Sequence, residues 1–155
     1  MILYRRADPH EIKTIMSLVV RTFTGEQGIP EEMNYLPAEK EPRWYCAAEN
    51  GRIIGTVAFF REENGWHAGR FALEPLYRGR HIGTGLVSFA FRDVFDSGIR
   101  EVIMEGRPAT VHILTKLGAE SRPFSRVDNI VLSQLCYLDL KDIPELNEEG
   151  GIQFQ

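Results

Sequence analysis

The sequence predicts a mixed α/β (α+β) domain in which helices flank a central, mostly antiparallel sheet. Three observations carry that expectation. Apolar and β-branched runs across residues 43–73 are interrupted by Asn50-Gly51 and by Glu63-Asn64-Gly65, both tight-turn signals, which predicts three strands in an antiparallel meander. The third run leads through a glycine- and arginine-rich turn into an amphipathic segment and then another short apolar run, the pattern of a parallel strand–helix–strand unit. The chain has 155 residues, 43% hydrophobic and 26% charged, the size and balance of one soluble domain with its own core.

Residues 2–6 form the first expected strand. Asp8-Pro9 then starts a helix, with a capping side chain before a proline at the first helical position. Ile12, Ile15, Met16, Val19 and Phe23 recur at helical spacing, so this helix covers 9–23. Thr24-Gly25-Glu26-Gln27-Gly28-Ile29-Pro30 breaks it. Prolines at 30, 37 and 42 make the next segment a long loop with at most a short helix, of the kind that lines binding sites. The meander strands occupy 43–49, 52–61 and 66–73. The helix around 86–95 has a polar stripe at Thr84, Ser88 and Arg92 and is otherwise broadly apolar, which suits packing on a sheet. Ser97-Gly98 ends it. Residues 101–105 are a short buried strand, 108–117 a further helix closed by Gly118, and 119–124 and 128–138 two last strands. The domain is expected to occupy 1–140, with a polar, loosely held tail over 141–155.

Net charge is −4, which argues against a general nucleic-acid binder, whereas Arg70, Arg78 and Arg80 make a local basic patch that fits a small anion. Cys46 and Cys136 each lie in an apolar strand-like run and read as buried free thiols of a reducing cytoplasm, too far apart and too few for a metal site. The N-terminal segment lacks a signal peptide's apolar run, and no stretch reaches membrane-spanning length, so a cytoplasmic protein with no membrane partner is expected.

The chemistry concentrates in Arg78-Gly79-Arg80-His81-Ile82-Gly83-Thr84-Gly85-Leu86. A strand, a glycine-rich turn and a helix N-terminus together present unpaired backbone N–H groups and a partial positive charge, while glycines allow close approach. Two arginines add full charges. This is a pyrophosphate cradle. A nucleoside-triphosphate loop needs Lys-Ser/Thr after its last glycine, which is missing. A dinucleotide fold needs a third matched glycine within repeated βαβ units, and here an antiparallel meander precedes the turn.

Leu73-Glu74-Pro75 followed by Arg78-Gly79-Arg80-His81-Ile82-Gly83 resembles the acyl-CoA-binding motif of the GNAT-type N-acyltransferase superfamily, with His81 in place of the first glycine. The order of elements is similar along nearly the whole chain. The resemblance implies acetyl-CoA (coenzyme A) as co-substrate and no metal. Backbone amides of Arg80, His81, Ile82, Gly83 and Thr84 would cradle its pyrophosphate, with Arg78 and Gly79 also in the cofactor site, and backbone groups of Phe71, Ala72 and Leu73 would pair with its pantetheine arm. The acyl carbonyl would lie near a bulge or splay in that strand, and an amine would attack it directly. His81 is compatible with the cradle if its φ stays in the ordinary helical range.

For the proton transfers such aminolysis needs, His67 is the candidate base; in a regular strand it shares the phase of Phe71 and Leu73, and a bulge would change that. Glu105, at the end of the next strand, is a second catalytic candidate. The family's usual acid is a tyrosine in the last helix, where this sequence has Leu114; water, another group such as Tyr77, or no acid takes its place. Glu26-Gln27-Gly28-Ile29-Pro30 is similar to a segment of a bacterial branch of the superfamily related to acyl-homoserine-lactone synthases, and Glu26 is expected to line the acceptor pocket. The implied acceptor is a small-molecule primary amine. A longer acyl donor, or a CoA-sensing module with little catalysis, is the alternative, and a homodimer is compatible with the sequence.

Overall fold

The structure, a computed structural model, describes residues 1–99, 101–106, 120–127, 130–139, 145–146 and 152–153, with side chains for 1–99 and 101–104. Strand β1 (Ile2–Arg6) pairs antiparallel with β2 (Arg43–Glu49), and β2 with β3 (Arg52–Glu62). Asn50 and Gly51 take φ of 50° and 79°, the paired positive values that a two-residue hairpin turn requires and that asparagine and glycine tolerate best. β3 pairs antiparallel with β4 (Gly65–Leu73), which completes the expected meander.

β4 and β5 (Glu101–Gly106) are parallel neighbours joined through helix α2 (Ile82–Asp96), as the strand–helix–strand pattern required. Beyond β5 come β7 (Ile130–Asp139) and then β6 (Glu120–Val127), both antiparallel to their neighbours. The sheet order is β1-β2-β3-β4-β5-β7-β6, with β4–β5 its single parallel pairing.

Alternation along the strands sends side chains to two cores. On one face Tyr45, Ile54, Val57, Phe59, Val102 and Met104 pack with Leu86, Val87, Ala90, Phe91 and Val94 of α2. On the other, Trp44, Cys46, Ile53, Ala58 and Phe60 pack with Ile15 and Val19 of α1 (Ile12–Val20). The result is three layers, helix on sheet on helix.

Two details depart from the sequence expectations. The first helix is mixed: a short 3-10 turn (Pro9–Glu11), α1, and then a π-helical turn (Arg21–Glu26) that carries the coil past Phe23. Wide turns of this kind concentrate at functional sites. Ser88, expected on a polar stripe, is buried, because α2 is covered almost all round. Within the expected tail, residues 145–146 and 152–153 pair as a small ribbon, β8 and β9, beside α2. The helix expected over 108–117 lies outside the described residues, and with it Leu114.

Candidate functional site

The site is built on the second half of β4. Opposite Thr56 and Ala58 of β3 stand Ala72 and Gly69, so β4 spends one more residue than β3 between these pairs. The extra residue makes a bulge at Arg70 and Phe71, and Arg70 takes φ 57°. Bulging changes the strand's phase. Phe71 and Leu73 face the α2 core, whereas His67 stacks on Phe60 (centroids 6.0 Å apart) and a Cβ on Gly69 would meet that same ring, on the α1 face. Of the two cases the sequence left open, the bulged strand is the one present, so His67 does not share a face with Phe71 and Leu73.

On its other edge β4 pairs with β5 at His67–Ile103 and Ala68–Met104 only. Past that point the two strands part, and among the described residues no strand pairs with this edge of Phe71, Ala72 or Leu73. Glu105 sits in β5 one residue beyond the last pair, opposite Leu135 of β7. The splay leaves backbone N–H and C=O groups facing a gap, and an extended chain of amides can satisfy such groups as a strand would.

β4 runs into the cradle. Gly79 turns at φ 77° in open surroundings, and α2 begins at Ile82 with His81 as its N-cap. Its first intrahelical-type bond is donated by Gly85 N–H to the His81 carbonyl, so helical geometry gives the N–H groups of Ile82, Gly83 and Thr84 no acceptor within the helix. They are the donors at the positive end of the dipole. His81 adopts φ 63°, the left-handed region, where the sequence reading needed an ordinary helical φ. That expectation is corrected: the backbone turns here as glycine would turn, and the imidazole is carried along. Histidine is among the non-glycine residues that tolerate this region best.

Gly83 serves packing as well as access. A Cβ there would stand 2.7 Å from Cζ of Phe71, so its bare Cα lets the first turn of α2 sit against the Phe71 ring. Arg80 is exposed and lies over the ring of Tyr77 at 5.1 Å. Tyr77 donates its hydroxyl to Glu49 at 2.9 Å, which pushes its pKa up and ties the hydroxyl to the end of β2.

Arg78 meets Glu26, 52 residues away in sequence. Nη1 and Nη2 donate to the two carboxylate oxygens at 2.9 and 2.8 Å, and Nε donates to the Leu73 carbonyl at 3.0 Å. The guanidinium holds the Glu26 carboxyl below the usual carboxylate range. Beside this pair Arg21 binds Glu74 at 2.9 Å, and Glu74 is buried. Two crossed ion pairs thus fasten the π turn to the cradle. Sequence reasoning placed Glu26 and Arg78 in separate subsites, and no local signal reveals a contact made by tertiary packing.

The loop after the π turn is held by Arg70, whose role beyond the basic patch the sequence did not suggest. Its Nε and Nη2 donate to the carbonyls of Asn34 (3.0 Å) and Met33 (3.1 Å), with the guanidinium over Phe60. Asn34 is buried and donates to Thr24 Oγ1. His67 lies on the same face. Burial lowers its pKa, and Nε2 donates to Asn64 Oδ1 at 2.6 Å, which leaves the lone pair on Nδ1. Buried Cys46 has its thiol pushed up to about 11 by desolvation, as befits a packing residue. Among the described residues, Asp8, His10 and Glu11 bring potential metal-ligand atoms within 4.8 Å of one another, but Glu11 is engaged by Arg5 in the cap of the first helix. Among the same residues no helix is long and apolar enough to cross a membrane.

The bulged strand parts from its parallel neighbour beside a helix N-terminus, and a family model decides which family this arrangement belongs to. The model described as the acetyltransferase (GNAT) family matches residues 12–119. The chain belongs to the GNAT family. It is therefore an acyl-CoA-dependent N-acyltransferase. Solved structures agree in fold. A GNAT-family acetyltransferase from Staphylococcus aureus is 14% identical, with a TM-score of 0.69 over 90% of this chain and 99% of that one. The PaiA N-acetyltransferase from Thermoplasma acidophilum, solved in complex with coenzyme A, is 14% identical, with a TM-score of 0.70 over 90% and 99%. FeeM, an N-acyl amino acid synthase from uncultured soil microbes, is also 14% identical, with a TM-score of 0.70 over 91% and 92%. A search of curated proteins gives no match.

Proposed function

We propose that this GNAT protein transfers an acetyl group from acetyl-CoA to the primary amine of a small, cationic acceptor by direct attack. The observation that carries this reading is the adjacency of the β4–β5 splay to the free N–H groups of Ile82, Gly83 and Thr84. An acyl-CoA has the matching shape: two amides in an extended arm, then a pyrophosphate. Open space around Gly79 and the exposed guanidiniums of Arg78 and Arg80 suit the anionic end. The edge of Phe71, Ala72 and Leu73 suits the arm.

Attack requires a neutral amine, and an ammonium must first lose a proton. His67 is the proposed base, since burial keeps its imidazole neutral at neutral pH and Nδ1 carries a lone pair. Glu105, just beyond the last β4–β5 pair, is the alternative. The amine nitrogen bonds to the acyl carbon, the C–S bond breaks, and the thiolate leaves. A thiolate is a tolerable leaving group near neutral pH, so the step does not demand a tyrosine at position 114.

Free-thiol release from acetyl-CoA across a panel of primary amines tests the reading. Turnover on at least one amine is the expected result; tight CoA binding with no turnover on any acceptor would instead leave a sensor. The resemblance of Glu26-Gln27-Gly28-Ile29-Pro30 to the branch related to acyl-homoserine-lactone synthases favours one second reading, transfer of a longer chain. Competition by acyl-CoAs of increasing length separates the two.

A further inference from the structure

The proposed cofactor site contains an internal competitor. Every nitrogen of the Arg78 guanidinium already has a protein partner: Nε at the Leu73 carbonyl, Nη1 and Nη2 at Glu26. The pair is bidentate and 41–44% exposed, so solvent and solutes reach it. Arg78 stands four residues before the first residue of α2, where the pyrophosphate is proposed to sit. A carboxylate occupying an arginine fork presents two oxygens much as a phosphate does. A phosphate that engages the same fork must take it from Glu26.

Glu26 is also the last residue of the π turn and leads directly into the 27–42 loop. The companion pair Arg21–Glu74 is differently built: its carboxylate is buried, although the Arg21 side chain is exposed, so Glu74 does not leave for solvent as Glu26 can. One pair thus anchors the turn while the other is exchangeable. The geometry points to Glu26 as a cofactor-responsive latch: the pyrophosphate of an acyl-CoA displaces the Glu26 carboxylate from Arg78. The freed carboxylate, at the base of the loop, then becomes the anionic subsite for the ammonium of the acceptor. Cofactor binding precedes acceptor binding for this reason, and the acceptor subsite is masked until the cofactor arrives. The inference rests on the CoA reading of the cradle.

The test is a double-mutant cycle on the full chain, with free CoA as the probe and calorimetry as the readout. Glu26→Ala removes the competitor and is expected to tighten CoA by about three- to fivefold, the scale of a well-formed exposed ion pair. Arg78→Ala is expected to weaken it. In the Arg78→Ala background the Glu26→Ala gain should vanish, because there is no fork left to release. No gain in the single variant would overturn the latch. So would a gain that persists without Arg78, since that describes simple repulsion between Glu26 and the phosphates. In either case the CoA reading stands. Absence of CoA binding by the wild-type chain would overturn that reading and the latch with it.

Discussion

The Phe71 ring fills the space that a side chain on Gly83 would need: a Cβ there would stand 2.7 Å from Cζ of the ring. The glycine therefore couples the strand that is proposed to hold the pantetheine arm to the helix turn that is proposed to hold the pyrophosphate. Gly83→Ala should destabilise the fold by about 1–2 kcal/mol, the scale of overpacking. With Phe71→Ala as background, the same change should cost nothing or add up to about 1 kcal/mol, because alanine is the better helix former. Urea unfolding of the four proteins measures this. An equal loss in both backgrounds would show that Phe71 is not what Gly83 accommodates. CoA affinity of the double variant then reports on the cradle without the packing defect.

His81 holds a left-handed backbone at the N-cap of α2. An L-residue with a Cβ costs about 1–2 kcal/mol there, a cost that glycine avoids. His81→Gly should stabilise the protein by about 1 kcal/mol, raising Tm by roughly 2–4 °C for a chain of this size. The cradle geometry is already the one glycine prefers, so CoA affinity should stay level or improve. A lower Tm would mean that the imidazole makes a compensating contact.

The meander, the parallel unit and the cradle were legible because each depends on local chemistry: Asn50-Gly51 for its turn, glycines and arginines for an anion, apolar spacing for α2. The face of His67 was not legible. One inserted residue in β4 inverts every later side chain, and nothing in Ala68-Gly69-Arg70-Phe71 requires an insertion. It is decided by what β3 and the loop offer, including the Asn34 carbonyl that receives Arg70. The Glu26–Arg78 pair was hidden for the same reason. Both residues were singled out, but only packing of the π turn against the end of β4 makes them partners. Ser88 was misread because polarity on a helix was taken for exposure, while the helix is enclosed.

Glu11 closes the first helix's cap. It accepts from Asp8 N–H at 2.9 Å and from both terminal nitrogens of Arg5 at 2.6 and 2.7 Å. Chiefly through the Arg5 bond, its pKa falls to about 2. A lowered carboxyl pKa gives stability that is fully present above the unfolded value near 4.5 and is lost as pH falls through about 2. Glu11→Gln keeps an acceptor for the Asp8 N–H but loses the charge facing Arg5, and should cost about 1 kcal/mol at pH 7. The gap from wild type should shrink between pH 4.5 and 2. Urea unfolding at several pH values checks it, and a gap that stays constant into acid would remove the ionised carboxylate from the account.

His67 combines a lowered pKa with a free Nδ1 on the face that the 27–42 loop covers. Desolvation is the leading cause, so the folded chain binds this proton less readily than the unfolded one, whose histidine titrates near 6.5. Its contribution to stability is therefore complete above pH 6.5 and is lost as pH falls through the folded value. Relative to His67→Gln, wild type should hold its stability above pH 6.5 and lose it as pH falls below that value. For catalysis the same shift keeps the imidazole neutral to lower pH, so the acid limb of the wild-type kcat/KM profile should have its midpoint below 6.5. A general base is worth about 10²–10⁴ in rate, so His67→Gln should lower kcat on that scale and abolish this acid limb, leaving KM for acetyl-CoA little changed. Asn64→Ala should keep most of the activity but move the limb, because it frees Nε2. If His67→Gln retains both rate and limb, Glu105 becomes the base to test, and the lowered pKa of His67 belongs to packing on Phe60 alone.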